Sequence, residues 1–191
     1  MAKTRKLTTM AMLCALSVVL VAILHVPIIP AAPFLEYDPA DIPILIGTVV
    51  MGPAAGLTIT VVASLIQGLT VSSGSSWYGI IMHIIATGCY VIVAGCIYQA
   101  GKTRKRAVVG MIIATLATVA IMVVANMLIT PAFTGWPLES VMDIMLPGII
   151  PFNLIKFVVN GLITFILYKP ISNLVKRPGG GKGKINAQSA E

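Results

Sequence analysis

Positive charge is distributed along this chain in a way that constrains the fold more than any short motif does. Twelve of the thirteen Lys and Arg residues lie in three clusters: three within residues 3–6, four within residues 102–106 and five after residue 168. Five of the six acidic residues lie instead in two segments, residues 27–43 and 131–145. Because cytoplasmic loops of membrane proteins are enriched in Lys and Arg, we predict that both termini and residues 102–106 are cytoplasmic and that the acidic segments lie outside.

The composition indicates a membrane protein and points to neither a nucleic-acid site nor a cysteine-based metal site. Of the 191 residues, 58% are hydrophobic and 10% are charged, which is typical of a protein that crosses a membrane several times. The net charge of +7 does not indicate nucleic-acid binding, because the cations flank apolar segments and are not interleaved with aromatic residues. The three cysteines, Cys14, Cys89 and Cys96, lie in apolar segments without the spacing of metal ligands. We expect no metal site and no bound cofactor.

Six apolar segments are predicted to cross the membrane, so the fold class is an all-α integral membrane protein with six transmembrane helices in a single domain, residues 1–177. The spans are residues 7–26, 39–51, 54–71, 77–100, 107–130 and 147–169. The second is short for a bilayer, but one kinked span over residues 42–71 would place the cluster at 102–106 outside. The serine-rich residues 72–76 are predicted to form a linker. The glycine-rich residues 178–191 are predicted to be a disordered cytoplasmic tail.

The last span is apolar along most of its length but carries three polar residues, Asn153, Lys156 and Asn160. Their spacing of i, i+3 and i+7 places them on one face of a helix. A lysine near the bilayer centre costs roughly 2.5–3.5 kcal/mol on insertion scales, so such a side chain normally faces the protein interior or a wet cavity. We interpret this face as part of a binding site. The alternative is that Lys156 lies near the helix end and extends its ammonium to the headgroups.

Other polar residues are expected to meet this face on the outer side of the membrane. The first acidic segment holds five prolines, which disfavour a helix, so we predict a structured outer loop there. The candidates are four residues in that loop, two at the start of the fourth span and one near the end of the fifth: Leu35, Glu36, Tyr37, Asp38, Met82, His83 and Asn126. Together they suit a weakly polar solute with an apolar body. Each also has a structural interpretation, namely an interhelical hydrogen bond, helix packing, anchoring at the headgroups or simple solvation.

The sequence also bears on partner proteins. Ala11 and Ala15 form an Ala-x-x-x-Ala step in the first span, a spacing that lets another helix approach closely, although the motif is weak because alanine is common in membrane helices. The chain contains no G-x-x-x-x-G-K-[ST], H-E-x-x-H or G-x-S-x-G pattern. We therefore expect that the protein is not an enzyme and that any ATP-driven transport would depend on another chain.

Three segments of the chain carry a family resemblance. They are LEYDPADIPILIGTVVMGPAAG (residues 35–56), MHIIATG (residues 82–88) and LPGIIPFNLIKFVVNGLITFILYKPIS (residues 146–172). Together they resemble the riboflavin-specific substrate-binding subunits, or S components, of energy-coupling factor (ECF) transporters, and the resemblance extends over most of residues 7–172. It implies six helices and a pocket that opens outward beneath the first long loop, with riboflavin or a related flavin as the transported ligand.

The resemblance also implies roles for individual residues and for partner proteins. By motif match, the loop residues Leu35 to Asp38 and the polar face of the last span would hold the flavin, whereas Met82 and Asn126 match less closely. The Ala-x-x-x-Ala face would dock on a transmembrane coupling subunit, and two cytosolic ATPase subunits would supply the energy. The protein would then lie in the plasma membrane of a prokaryotic cell.

Two alternatives stay open at the level of sequence. One is an S component for another vitamin, such as thiamine or pantothenate. The other is an integral-membrane enzyme that acts on lipid, with Lys156, His83 and the acids as catalytic residues. The charge layout favours transport, because the candidate polar groups gather outside. Catalysis on phosphorylated lipids usually uses acids that bind Mg²⁺ or cations near the cytosolic interface.

Overall fold

The structure, a computed structural model, describes residues 3–30, 32, 34–71 and 76–176, with residues 76 and 169–176 described by their backbone alone. The elements follow one another as α1 (Lys3–Ile23), β1 (Val26–Pro27), β2 (Glu36–Tyr37), α2 (Asp41–Met51), α3 (Pro53–Leu69), α4 (Ser76–Gln99), α5 (Arg104–Thr134), α6 (Leu138–Asp143), a π-helical turn (Met145–Ile149) and α7 (Ile150–Lys176). The predicted disordered tail and most of the predicted serine-rich linker lie outside the described residues.

Most of the described chain is helical, and four of its helical segments are long and apolar enough to cross a membrane. They are Lys3–Ile23, Trp77–Gln99, Arg104–Thr134 and Met145–Tyr168. Two further helices, α2 and α3, are apolar but shorter. Spans of this length and composition belong in a bilayer, because a helix needs about 20 consecutive apolar residues to cross it. The prediction of a helical membrane protein is thus confirmed.

Helix α2 is the central element of the bundle. Its first eight residues, Asp41 to Thr48, are all buried, and the helix packs against α1, α3, α4 and α7. At 1.5 Å per residue its 11 residues extend about 16 Å. The helix ends at Gly52, whose φ of 98° favours glycine, and Pro53 begins α3 where its missing N–H costs nothing. Because protein surrounds α2 along most of its length, its short span is covered by neighbouring helices.

Helices α2, α3 and α4 approach one another closely at a glycine. A Cβ added to Gly56 would collide with the side-chain hydroxyl of Thr48 and would lie 2.8 Å from Val91 Cγ1. A Cβ added to Gly88 would instead make an ordinary contact, 3.4 Å from Leu57 Cδ1. Position 56 therefore requires glycine, because small residues are what let membrane helices pack at short distance.

The end of α5 extends beyond the predicted span. The sequence predicts that the helix stops before Pro131, but α5 continues to Thr134. Gly135 then adopts a left-handed φ of 73° and donates its N–H to Pro131 O at 2.9 Å, which caps the helix. Pro131 has no N–H to donate to Met127 O, so the last turn of α5 begins with one hydrogen bond of the helix missing. The segment predicted as the second outer loop forms α6 and the π-helical turn, which leads directly into α7.

The loop between α1 and α2 is ordered by a short hairpin and by a small core beneath it. Val26 pairs with Tyr37 and Pro27 pairs with Glu36 in the antiparallel ladder of β1 and β2. The described chain is thus mostly helical, as the all-α prediction expects, with one short pair of strands between α1 and α2. Five buried side chains form the core beneath the hairpin: Ala32, Leu35, Val141, Ile149 and Phe152. These contacts hold the loop against the π-helical turn and the start of α7.

Candidate binding site

A cavity of about 170 Å³ lies at the hairpin end of the bundle. The C-terminal parts of α1, α3 and α5 meet the N-terminal parts of α4 and α7 there, and the loop between β1 and α2 forms the rim. Seven of the ten predicted site residues line this cavity: Leu35, Glu36, Asp38, Met82, His83, Asn153 and Lys156. The other three, Tyr37, Asn126 and Asn160, lie behind its wall.

The walls and floor of the cavity are largely apolar. The larger apolar side chains of the lining are Phe34, Leu35, Met82, Met122, Phe152 and Phe157. Beneath the cavity, Phe157 stacks on the buried ring of Tyr90, with the ring centroids 5.0 Å apart and the planes inclined by 18°. The sequence analysis did not single out Phe152 or Phe157, because an apolar residue in an apolar helix gives no contrast. The sequence points to them only by their position, because Phe152 precedes Asn153 and Phe157 follows Lys156.

Lys156 reaches the cavity from α7 and is paired within the protein. Its Nζ donates to Asp38 Oδ2 at 2.7 Å and lies 3.9 Å from Asp41 Oδ2. The residue is 8% exposed. The ammonium therefore balances carboxylates of the loop and of α2 and does not extend along the outside of the bundle. Pairing of this kind offsets the large cost of burying a charge, and it ties the loop to α7.

Asn160 lies one turn further along α7 and joins the loop to α2. Its Nδ2 donates to Asp38 O at 3.1 Å and to Asp41 Oδ2 at 3.0 Å, and its Oδ1 accepts from Tyr37 Oη at 2.8 Å. Both amide hydrogens are thus committed within the protein. Burial, reinforced by the negative charge of Asp38, raises the pKa of Tyr37, so its hydroxyl remains a donor at neutral pH. Tyr37 and Asn160 support the wall of the cavity from behind.

Asp41 is the main residue of this cluster that the sequence analysis missed. The sequence places it with the acids of the outer loop, but the structure buries it completely in the first turn of α2. Its Oδ1 accepts from Thr87 Oγ1 at 2.6 Å and lies 3.1 Å from His83 Nε2. Two signals point to it in retrospect. A buried lysine requires an anionic partner, and a carboxylate is favourable in the first turn of a helix.

The two remaining asparagines occupy different positions. Asn153 lines the cavity, and within the described chain its side chain makes one hydrogen bond, from Nδ2 to Ile149 O at 2.8 Å. Its carbonyl oxygen and second N–H are therefore available to a ligand. Asn126 is fully buried in α5, where its Oδ1 accepts from Thr130 Oγ1 at 2.9 Å and lies 3.5 Å from Tyr78 Oη of α4. This geometry matches the interhelical interpretation of Asn126.

Ala11 and Ala15 lie in the middle of α1, about 15 Å and 9 Å along the helix from Val21, which lines the cavity. Both are exposed and turned away from the buried residues of the helix. Helix α1 reaches the cavity only with Val21, and His25 follows the helix at the rim. The face of α1 that carries the two alanines is thus uncovered in the described chain, and its small side chains allow the close approach of another helix.

Known proteins share both the sequence and the fold of this chain. The model of the family described as ECF transporter, substrate-specific component, matches residues 5–168. The riboflavin transporter RibU of Staphylococcus aureus (strain TCH60) is 30% identical over 184 residues, which cover 93% of this chain and 95% of that protein. The riboflavin transporter FmnP of Bacillus subtilis (strain 168) is 27% identical over 180 residues, which cover 88% and 94%. A solved S component of a bacterial ECF transporter has a TM-score of 0.80 at 31% identity, covering 92% of this chain and 99% of that chain.

Proposed function

This chain belongs to the family of ECF transporter substrate-specific components and is a multi-pass protein of the prokaryotic plasma membrane, and we propose that riboflavin is the ligand it binds. The observation that carries the proposal is one cavity with apolar, aromatic walls and a polar edge formed by Asp38, Asn153 and Lys156. Riboflavin matches this distribution of apolar and polar groups. It has a flat ring system with carbonyl and N–H groups at one edge, and a hydroxylated side chain. The relatives named as riboflavin transporters support the same ligand. They also favour transport over the alternative of an enzyme that acts on lipid.

We assign the residues of the cavity to parts of the flavin by their hydrogen-bonding chemistry. Met82 and Phe157 contact the faces of the ring, and Asn153 and Lys156 donate to its carbonyl oxygens. Glu36 and its neighbour Asp38 accept from the ring N–H and from hydroxyls of the ribityl chain. The other candidates complete or support the wall: Leu35, Tyr37, His83, Asn126 and Asn160. In this assignment the Lys156 ammonium donates one hydrogen to Asp38 and its remaining hydrogens to the ligand.

We propose that α1 to α5 and α7 all cross the membrane, with both termini and residues 102–106 in the cytoplasm. The directions of the helices support this topology, because the C-terminal parts of α1, α3 and α5 and the N-terminal parts of α4 and α7 line the cavity. The cations support it as well, since Arg104 begins α5 and Lys3 begins α1 at the end remote from the cavity. The cavity then opens to the outside, where an imported vitamin is captured.

Family membership implies an energising module, and we propose how this chain joins it. A transmembrane coupling subunit binds the α1 face that carries Ala11 and Ala15, and two cytosolic ATPase subunits drive transport. The support is that both alanines are exposed and lie on a face of α1 away from its buried residues. Because α1 lines the cavity with Val21, on its buried side, and the alanines are exposed, coupling and ligand binding use separate surfaces of the protein.

Ligand titration of the purified protein tests the proposed function. Riboflavin is expected to lose fluorescence as it binds, with saturation at one flavin per chain, and a preparation from riboflavin-fed cells is expected to be yellow. Thiamine and pantothenate are expected not to displace the flavin. Flavin mononucleotide, titrated in parallel, reports whether a phosphate is accepted. Saturable binding of thiamine or pantothenate without binding of riboflavin would replace this proposal by another vitamin.

A further inference from the structure

We propose that the connection between α5 and α7, residues 136–146, lies in the lipid headgroup region at the hairpin end of the bundle, and that this contact holds the rim of the cavity in place. The apolar residues that enter the lipid are all exposed: Trp136, Leu138, Met142 and Leu146. Two acids of the same segment, Glu139 and Asp143, remain in water. The partner is thus a lipid surface, which the proposed topology assigns to the outer leaflet. The expected effect on riboflavin affinity rests on the proposed function.

The two tryptophans of the chain mark the level of the membrane surface. Trp77, in the first turn of α4, and Trp136, just after α5, are 46% and 42% exposed. Phe133, in the last turn of α5, contacts Trp77 edge to face with the ring centroids 5.9 Å apart, and Trp136 follows it three residues later. Tryptophan is enriched where a membrane meets water, because its ring is apolar and its N–H is polar. The segment that Trp136 begins therefore starts at this level.

Helix α6 has three different sides. Val141 is fully buried and faces the small core beneath the hairpin. Leu138 and Met142 are four residues apart and share a second side, where Met142 is 54% exposed. Glu139 and Asp143 have the same spacing and share a third side, which is also exposed. At about 100° per residue the apolar side lies between the buried side and the acidic side, the arrangement of a helix that lies flat on a membrane.

The neighbouring spans keep α6 close to the membrane. Gly135 caps α5, which is long enough to span a bilayer, and the chain from Gly135 to Leu138 extends at most about 11 Å. At its other end α6 leads through the π-helical turn, which contains the exposed Leu146, directly into α7. An exposed apolar surface tied at both ends to membrane spans is a surface for lipid contact.

The buried side of α6 supports the rim of the cavity. Val141 lies in one core with Ala32 and Leu35 of the loop, and Leu35 lines the cavity. The π-helical turn approaches the same loop closely, since a Cβ added to Gly148 would lie 3.0 Å from Ala32 Cβ. The loop therefore rests on the segment that we place at the lipid surface.

Trp136 provides a second, more direct link to the cavity. Its ring contacts Phe34 edge to face, with the ring centroids 5.9 Å apart, and Phe34 lines the cavity. A side chain in contact with lipid thus touches a side chain of the cavity wall. Loss of one such aromatic contact is expected to lower riboflavin affinity roughly two- to twelvefold, because the rim is then less well fixed before the ligand binds.

Quenching of single tryptophans tests the membrane contact without any flavin. Trp77→Phe combined with Trp136→Phe removes both native tryptophans, and Met142→Trp or Asp143→Trp then adds one reporter. In flavin-free protein in phosphatidylcholine nanodiscs, the reporter at position 142 is expected to be quenched by lipids brominated on their acyl chains and protected from aqueous iodide. The adjacent position 143 is the matched control and is expected to show the opposite pattern. Equal quenching by iodide at both positions would overturn the inference.

A simpler variant leaves the segment itself unchanged. Trp77→Phe keeps Trp136 as the single native reporter, and its fluorescence is expected to be quenched by the brominated lipid. Quenching of Trp136 by iodide but not by the brominated lipid would equally contradict the placement of this segment in the membrane surface.

Riboflavin titration in the same nanodiscs tests the link to the cavity. Leu138→Gln combined with Met142→Gln makes the apolar side polar, and Trp136→Ala removes the contact with Phe34. Both proteins are expected to bind riboflavin roughly two- to twelvefold more weakly, whereas Glu139→Gln, on the acidic side, is the control and should bind normally. Wild-type affinity in both altered proteins would overturn this link. A wild-type protein that binds no riboflavin would refute the proposed function, and the quenching pattern would still decide where the segment lies.

Discussion

Replacing Lys156 by methionine separates a lysine that contacts the ligand from one that only stabilises the fold. Methionine preserves most of the length of the side chain and removes the ammonium. Two losses are expected. One is the ion pair with Asp38 at 2.7 Å and the longer contact with Asp41 at 3.9 Å. The other is the hydrogen bond that we propose Lys156 makes to the flavin.

The expected sizes of the two losses differ. Removing one partner of a buried ion pair costs about 3–5 kcal/mol of folding free energy, because the other charge stays buried without compensation. We expect a loss of folding free energy of about 3 kcal/mol, because the side chain of Asp38 is 16% exposed. In addition, Asp41 keeps its contacts with Thr87, Asn160 and His83. Losing one buried hydrogen bond to the ligand costs about 1–3 kcal/mol, which is roughly five- to 150-fold in riboflavin affinity.

A second variant distinguishes the two effects. Lys156→Met combined with Asp38→Asn removes both charges of the pair, so most of the thermal stability lost in the single variant is expected to return while the affinity stays low. Riboflavin binding is measured by flavin fluorescence, and stability by thermal unfolding in detergent. Lys105→Met, at an exposed cation of α5, is the control and should change neither quantity.

Two results would refute this reasoning. Wild-type affinity in a folded Lys156→Met protein would show that the ammonium makes no contact with the ligand. Complete recovery of affinity in the double variant would show that Lys156 influences binding only through Asp38. In either case Lys156 would only support the fold, and the polar edge of the flavin would have to be recognised by other side chains such as Asn153.

Three further outcomes are expected from other parts of the molecule. Ala11→Leu should abolish uptake and copurification with a coupling subunit but leave riboflavin affinity unchanged, and normal uptake would remove this face from the assembly. Arg104→Cys in a cysteine-free background should react with a membrane-impermeant label only from the cytoplasm, and labelling from outside alone would disprove the six-span topology. Gly56→Ala should lower folding stability by about 1–3 kcal/mol through its collision with Thr48, whereas Gly88→Ala should be neutral or stabilising by up to about 1 kcal/mol in thermal unfolding.

Polarity contrast explains which parts of the site were predictable. Lys156 and its two flanking asparagines are conspicuous because each is costly in an apolar helix, and the structure brings two of the three to the cavity. The loop residues Glu36 and Asp38 were found because they lie in the acidic outer loop and match the family resemblance. Sequence contrast identifies a polar face but not which of its members contacts the cavity, because that depends on how the neighbouring helices pack.

The features that could not be predicted depend on tertiary contacts. The apolar side chains of the cavity, such as Phe157, are indistinguishable from lipid-facing ones in a sequence whose helices are apolar on all sides. Asp41 was misplaced because charge alone suggested solvent, whereas its four neighbours come from α4 and α7, far apart in the chain. Pro131 suggested a helix end, but the end is set by Gly135, where the chain adopts a left-handed conformation. Each of these outcomes is decided by residues distant in sequence or by local backbone geometry.

The arrangement around Asn160 has a consequence for the chemical durability of the protein. Asn160 is followed by Gly161, the dipeptide that deamidates most readily in flexible chains, because glycine leaves the next backbone nitrogen free to attack the side-chain amide. Within α7 that nitrogen is held in the helix, and the amide is fixed by bonds to Tyr37, Asp38 and Asp41. Deamidation after transient unfolding would replace the amide with a carboxylate, remove two donors and place a third negative charge beside two others. Chains that deamidate at Asn160 while unfolded would thus refold without these bonds around the binding site, and this chemical change is irreversible.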